Sequence, residues 1–279
     1  MRGAQPSDYS TLITENTVVF DDEQQMVTMV YLKLEDDATE LVKALRRIEY
    51  HVGARTGGMP STSRVFGFQP RVTIRRDYCT ATSLAHEDAE AHAVVASYAE
   101  KVSRYYERYN PDLHAEHQRQ VERVLPEWHL DESVFTSGII NKNNPLLYHF
   151  DAGNFSNVWS NMLGFKRHCE GGYLAVPEYD LALEIADNSL SMFDGQNLLH
   201  GVTPMRLTSD GAHRFTIVFY SLKGVWQCLP VDPTFRTSWC ALFGIYLNPT
   251  DPGHFYLGGH SNRSALDCER LLHAGSIFR

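Results

Sequence analysis

Apolar positions in the first half of the chain recur mainly at helical spacing, and those in the second half at strand spacing. Residues 26–34 (MVTMVYLKL), rich in β-branched and aromatic side chains, predict a strand. Leu41, Val42, Ala44, Leu45 and Ile48 then share one face of a helix predicted over 36–50. Residues 1–24 are polar, acidic and weakly periodic, which predicts a frayed terminus followed by a short strand near 17–20. Ala91, Val94, Val95, Tyr98, Val102 and Tyr105 form a stripe that predicts one long helix from a Ser83 cap to about residue 108. Asn110-Pro111-Asp112 breaks it, and a second helix over 113–124 stops before Pro126. His114 and His117 sit on that helix among Glu116, Gln118, Arg119, Gln120 and Glu122, so both are expected on a solvated face.

After Ser133 the pattern changes to short β-rich runs (134–141, 156–164, 172–177, 181–185, 189–193 and 213–223) punctuated by Gly, Asn and Asp. Such runs predict antiparallel strands in a jelly roll, so the chain reads as mainly β with flanking helices, an α+β fold. Residues 1–132 are expected to pack as strand and helix support on a core at 133–224, within a single compact catalytic domain. The aromatic-rich extension 225–279 is expected to pack on that domain or on a partner.

The charge of −9 disfavours a non-specific nucleic-acid binder, which needs cations to neutralise phosphates. Its distribution changes the picture: from His51 to Arg76 there are five arginines (Arg55, Arg64, Arg71, Arg75 and Arg76) and no acid. Glycines and prolines in the same stretch predict loop or short strand, where binding residues commonly sit. The five cysteines contain no C-x-x-C pair and form an odd set, which predicts neither a zinc ribbon nor a disulfide framework. A soluble, intracellular protein is expected (cytoplasm, or nucleus in a eukaryote), with no membrane segment and an open oligomeric state.

Chemistry concentrates in Tyr148-His149-Phe150-Asp151-Ala152-Gly153-Asn154-Phe155 and in Leu199-His200-Gly201-Val202-Thr203-Pro204. In an extended segment His149 and Asp151 project to one side, and His200 can approach from a neighbouring strand. Two imidazoles and one carboxylate suit the facial binding of Fe(II), which leaves positions open for cosubstrate and O₂. Arg214 lies in the apolar strand Ala212-His213-Arg214-Phe215-Thr216-Ile217-Val218-Phe219-Tyr220, where a guanidinium is costly without an anion. Arg214 and Thr216 share a side and suit the distal carboxylate of 2-oxoglutarate. Asn141, at the end of the preceding strand, is a further candidate toward the cosubstrate. Glu170-Gly171-Gly172 and Phe193-Asp194-Gly195 read as turns, and Cys169 and adjacent His168 should point to opposite faces.

Residues 148–154, 169–177, 192–204 and 213–221 together resemble the double-stranded β-helix of the TET/JBP family of Fe(II)- and 2-oxoglutarate-dependent dioxygenases. Arg64-Val65-Phe66-Gly67 with Pro70-Arg71 and Tyr78-Cys79 resemble the segment that precedes this core in microbial and viral members. The resemblance implies iron on His149, Asp151 and His200, and 2-oxoglutarate on Arg214 and Thr216. It implies oxidation of the 5-methyl group of 5-methylcytosine in DNA to 5-hydroxymethylcytosine, or beyond, on a flipped base. It places Asn154 where methylcytosine-oxidising members keep a base-contacting asparagine; an Asx turn is the structural alternative. Arg55, Arg64 and Arg71 become candidate substrate contacts. The cysteine-rich zinc region of animal members is missing here. Alternatives are the same chemistry on thymine, a protein side chain or a small metabolite, and a cupin-like binding protein in which the His and Asp are incidental.

Overall fold

The computed structural model describes residues 2–54, 60–72 and 77–230, and the backbone of two strands further on. Along the chain run β1 (Thr11–Ile13), β2 (Thr17–Asp21), β3 (Met26–Lys33), α1 (Thr39–Arg47), β4 (His51–Ala54), β5 (Pro60–Pro70) and β6 (Cys79–Ala81). Four helices follow: α2 (Ser83–Glu87), α3 (Ala89–Ala96), α4 (Tyr98–Tyr109) and α5 (Pro111–Val121). Then come β7 (Ser137–Lys142), β8 (Ser160–Arg167), β9 (Cys169–Gly171), β10 (Leu174–Val176), β11 (Leu181–Leu183) and β12 (Ser189–Phe193). The series ends with β13 (Gly201–Val202), β14 (Met205–Leu207), β15 (His213–Tyr220), β16 (Ile245–Asn248) and β17 (Asp251–Leu257).

The main sheet has the order β2-β3-β12-β8-β15-β7-β5-β4, with β6 paired to β5, and a smaller sheet has the order β1-β11-β10-β13. Alternation along the main strands explains the layering. Phe215, Ile217 and Phe219 of β15, with Leu163 and Phe165 of β8 and Phe66 of β5, face the helices and share their core. Met162 of β8, Phe193 of β12 and Tyr31 of β3 face the smaller sheet, where Leu174, Val176, Leu181 and Leu183 meet them. The fold is mostly β with flanking helices, and its two facing sheets form a double-stranded β-helix core.

Several expectations need correction. The N-terminus is not frayed: Arg2 pairs with Asp8 at 2.7 Å, Ala4 is fully buried, and β1 joins the small sheet parallel to β11. The helix expected over 83–108 is three helices, because Asp88 leaves helical geometry and caps α3 by accepting the Ala91 N–H at 3.0 Å. The helix expected at 113 starts at Pro111, since Asn110 caps it through the Leu113 N–H and proline suits a first helical position. The glycine- and proline-rich stretch expected as loop or short strand contributes β5, a strand of eleven residues paired to β7 and so longer than expected.

His117 is not solvated: it is fully buried between Phe135 and Phe155, with Nε2 at 2.9 Å from Ser221 Oγ. His114 is half-buried against Ser103. The cysteines also differ from expectation, since Cys79 and Cys228 form a disulfide across a sequence separation of 149. That partner was illegible in a linear pattern because it depends on Leu229 N–H reaching Asp77 O at 2.8 Å, a contact of distant segments. Cys169 is the buried free cysteine among the described residues. Among the described residues no helix is long and apolar enough to cross a membrane.

Candidate metal centre and cosubstrate pocket

His149 and His200 face each other across an antiparallel bridge, His149 N–H to His200 O at 2.9 Å and His200 N–H to His149 O at 3.1 Å. Residues so paired carry their side chains on one side, and the two rings lie 4.4 Å apart between centroids. The Asp151 N–H is held in turn by Gly195 O at 2.7 Å. Asp151 Oδ1 then stands 3.8 Å from each histidine Nε2, and the three ligand atoms all lie within 4.8 Å of one another. One ion can reach all three.

The imidazole tautomers fit the same conclusion. His149 Nδ1 is 2.8 Å from Leu147 O and His200 Nδ1 is 2.9 Å from Leu198 O, contacts that require Nδ1–H as donor. Each Nε2 is left with a lone pair, the form a metal requires, and the backbone fixes ring orientation. Ser160 Oγ donates to Asp151 Oδ2 at 3.0 Å, and Asn154 Nδ2 lies 3.4 Å from Ser160 Oγ. Gly195 presses on the same carboxylate, where a Cβ would overlap Asp151 Oδ2. The expectation of a plain turn at Phe193-Asp194-Gly195 therefore missed its close packing against Asp151. A glycine in a linear sequence carries no mark of what its missing side chain would strike.

Arg214 and Thr216 lie on the inner face of β15, buried to 2 % and 3 % exposure. Arg214 Nε and Nη2 have no hydrogen-bond partner, and burial draws its pKa down to about 10. A desolvated guanidinium with two unpartnered donors suits a carboxylate ligand. Gly172, at φ +69°, permits the approach: a Cβ there would stand 2.8 Å from Arg214 Cδ. Lys166 lies directly opposite Arg214 on β8, its Nζ 3.0 Å from Gly171 O. Cys169, its thiol pushed up by burial, lies in the field of both cations. Asn141, buried opposite Thr216 on β7, donates to Thr216 Oγ1 at 3.3 Å and accepts from Asn144 at 3.2 Å. The turn expected at Glu170-Gly171-Gly172 is present, with Gly171 and Gly172 both at φ +69°, whereas Lys166 carried no recognisable sequence signal.

The arginine-rich stretch divides. Arg64 is buried at 3 % exposure on the helix side of β5, ion-paired with Glu87 and bonded to His51, so it is not brought to the metal site. Its role is to join β5 to α2. Arg71 is half-buried with its guanidinium 6.0 Å from the Tyr78 ring centroid. Arg55, Arg75 and Arg76 lie outside the described residues. Asn154 is buried and bridged to Leu222, within the loop that carries Asp151.

A double-stranded β-helix carrying two histidines and a carboxylate at one end, and a buried unpaired arginine further along, defines a non-haem Fe(II)- and 2-oxoglutarate-dependent dioxygenase. The chain belongs to the Tet_JBP family, the oxygenase domain of the 2OGFeDO superfamily, whose model matches residues 66–223, more than half of the chain. That superfamily uses Fe(II), 2-oxoglutarate and O₂. Among solved structures the chain is similar to NgTET1 in complex with 5mC DNA (14% identity, TM-score 0.59, covering 83% of this chain and 85% of that one). It is also similar, at a TM-score of 0.46 and 13% identity, to a 2OG-Fe(II) oxygenase family protein from Burkholderia pseudomallei, covering 75% of this chain and 93% of that one. No curated protein sequence matches.

Proposed function

We propose that the chain oxidises the 5-methyl group of 5-methylcytosine in DNA, giving 5-hydroxymethylcytosine. The observation that carries the chemistry is Arg214, a buried guanidinium with idle donors on the strand row that leads to the iron ligands. The family, and a similar fold solved with 5mC DNA, support the choice of substrate. Fe(II) with 2-oxoglutarate and O₂ supplies an oxidant able to hydroxylate a methyl group. This chain's own residues do the rest. His149, Asp151 and His200 hold the ion, with each Nδ1–H anchored on a backbone carbonyl. Arg214 and Thr216 hold the distal carboxylate of the cosubstrate, with Asn141 steadying the Thr216 hydroxyl. Asn154 offers its carboxamide to the Watson–Crick edge of a flipped base, exchanging its long 3.4 Å contact with Ser160. Extruding that base costs a few kcal/mol, roughly, which phosphate contacts from Arg71 and from Arg55 would help offset.

The test is incubation of the iron-loaded protein with methylated duplex DNA, 2-oxoglutarate and O₂, followed by nucleoside mass spectrometry. Oxidised methylcytosine that disappears in Asn154→Ala, while 2-oxoglutarate decarboxylation continues, is the expected result. Equal oxidation of thymine would remove the base-reading role of Asn154. A second reading is favoured by the net charge of −9 and by the internal pairing of Arg64: the same iron chemistry on a protein side chain or small metabolite. Succinate release with no oxidised base in any DNA would select it.

A further inference from the structure

His213, Arg167 and Lys142 stand next in sequence to Arg214, Lys166 and Asn141, and strand alternation turns them to the opposite face of the main sheet. His213 lies directly opposite Arg167 across the β15–β8 pair, and Phe215 directly opposite Lys142 across the β15–β7 pair. With Arg46 from the last turn of α1, these residues line a cavity of about 410 Å³. Buried His213 and Phe215 lie deepest, while Arg46 and Arg167 are exposed. Asp210 is the carboxylate of the lining, and Asp187, which also acts on His213, already accepts the Lys166 N–H at 3.1 Å.

Among the described residues Arg46, Lys142 and Arg167 have no ion-pair partner, although the chain holds 34 acids against 25 cations. Lys142 instead lies over the Tyr50 ring at 5.3 Å. Three permanent cations drawn from three elements into one concavity repel one another unless an anion joins them. The volume exceeds what one carboxylate fills and falls in the range of small-ligand sites. The cavity is also remote from the iron ligands. Ser160, which touches Asp151, and Arg167 stand at opposite ends of β8, roughly 23 Å apart at ~3.3 Å per residue.

We propose that this cavity is a second anion site that binds phosphate groups, either of a nucleotide-sized molecule or of a nucleic-acid strand. Arginine forks match phosphate oxygens, and the aromatic wall of Phe215 and His213 gives the ligand an apolar side. The site does not depend on what is oxidised at the metal, so it stands or falls separately from that assignment.

Binding of AMP, adenosine and a short unmethylated duplex is measured on the full chain with iron, anaerobically and with saturating 2-oxoglutarate to occupy Arg214. AMP or duplex should bind where adenosine does not, and Arg46→Ala/Arg167→Ala should weaken that binding by roughly tenfold or more. Both positions are exposed, so the double variant should keep the wild-type melting temperature and 2-oxoglutarate turnover; Lys142→Gln provides an independent second variant. AMP binding identifies a small-molecule source, and duplex binding alone identifies strand phosphates. Binding by neither probe, undiminished binding in both variants, or displacement of AMP by 2-oxoglutarate overturns the proposal.

Discussion

Replacing Arg214 by methionine should stabilise the metal-free, cosubstrate-free protein, the reverse of the usual outcome for a fully buried residue. The guanidinium is 2 % exposed, two of its nitrogens have no partner, and burial lowers its pKa from 12.5 to about 10. A base whose folded pKa is depressed costs the folded state at every pH below that value, so the penalty is fully present at pH 7. At ~1.4 kcal/mol per pKa unit the cost is about 3 kcal/mol. Methionine keeps most of the stem and removes the charge; some packing is lost, so a net gain of about 1–3 kcal/mol is expected. Denaturant midpoints of apo wild type and Arg214→Met at pH 7 measure it. In the same experiment 2-oxoglutarate with a redox-silent divalent ion should raise the wild-type midpoint and leave the variant unmoved. A variant that is less stable than wild type when empty, or that still responds to 2-oxoglutarate, would refute the claim that Arg214 is a charge waiting for a carboxylate.

Gly195→Ala drives a methyl group into Asp151 Oδ2, so iron affinity should fall on the order of 10–100-fold, measured by metal titration, while far-ultraviolet circular dichroism stays unchanged. Acid should unfold the protein through two buried histidines, His117 and His92, whose pKa values burial lowers to about 3 and about 4. His92 Nε2 must stay unprotonated to accept the Gly67 N–H at 3.1 Å. Because both folded values lie below the unfolded ~6.5, their stabilisation is complete above pH 6.5 and declines as pH falls toward 4, by ~1.4 kcal/mol per pH unit for each. Denaturation midpoints at pH 7.5, 6 and 5 should show that slope, and His92→Gln should reduce it by about half. Opening the Cys79–Cys228 disulfide by Cys79→Ser releases a loop with a sequence separation of 149, and chain entropy sets an upper limit of about 5 kcal/mol lost. A midpoint identical with and without reductant would show that the bond contributes nothing.

The candidate metal triad was legible because its chemistry is local: His149 and Asp151 are two residues apart, and strand alternation alone puts them on one side. Arg214 was legible for a different reason, since a guanidinium in an apolar strand is conspicuous wherever it lies. Arg64 shows the limit of that logic. It too is a cation in a strand, followed by Val65 and Phe66, but its anion is Glu87 of α2, a partner no spacing within β5 reveals. His117 fails the opposite way: its sequence neighbours are polar, yet α5 turns this one position against Phe135 and Phe155. The β-helix was readable from alternating short runs. The outer strands β2 to β5 were harder to place, because their membership in the main sheet depends on pairing with β12 and β7, seventy or more residues away in sequence.

One end of the main sheet concentrates charge in a way that folding alone does not explain. Lys142, Lys166, Arg167 and Arg214 lie on three adjacent strands of a chain with net charge −9. Some cations elsewhere find acids, as Arg64 meets Glu87 and Lys101 meets Asp36 at 2.7 Å, and others lie over rings, as Arg123 does over Trp226. At this end Arg214 Nε and Nη2 have no partner, and Lys166 is held by the Gly171 carbonyl and the Tyr173 ring, with no ion pair to an acid. Cations brought together without ion-pair partners raise the energy of the empty protein, and the field they create favours anions. A ligand that binds only the folded form returns that cost as RT ln(1 + [L]/Kd), about 2.7 kcal/mol at a hundredfold excess over Kd. The inner and outer faces are separated by the sheet, so 2-oxoglutarate and a phosphate ligand should stabilise additively. Stabilisation by the two together that falls short of the sum by more than about 0.5 kcal/mol would mean that both compete for Arg214.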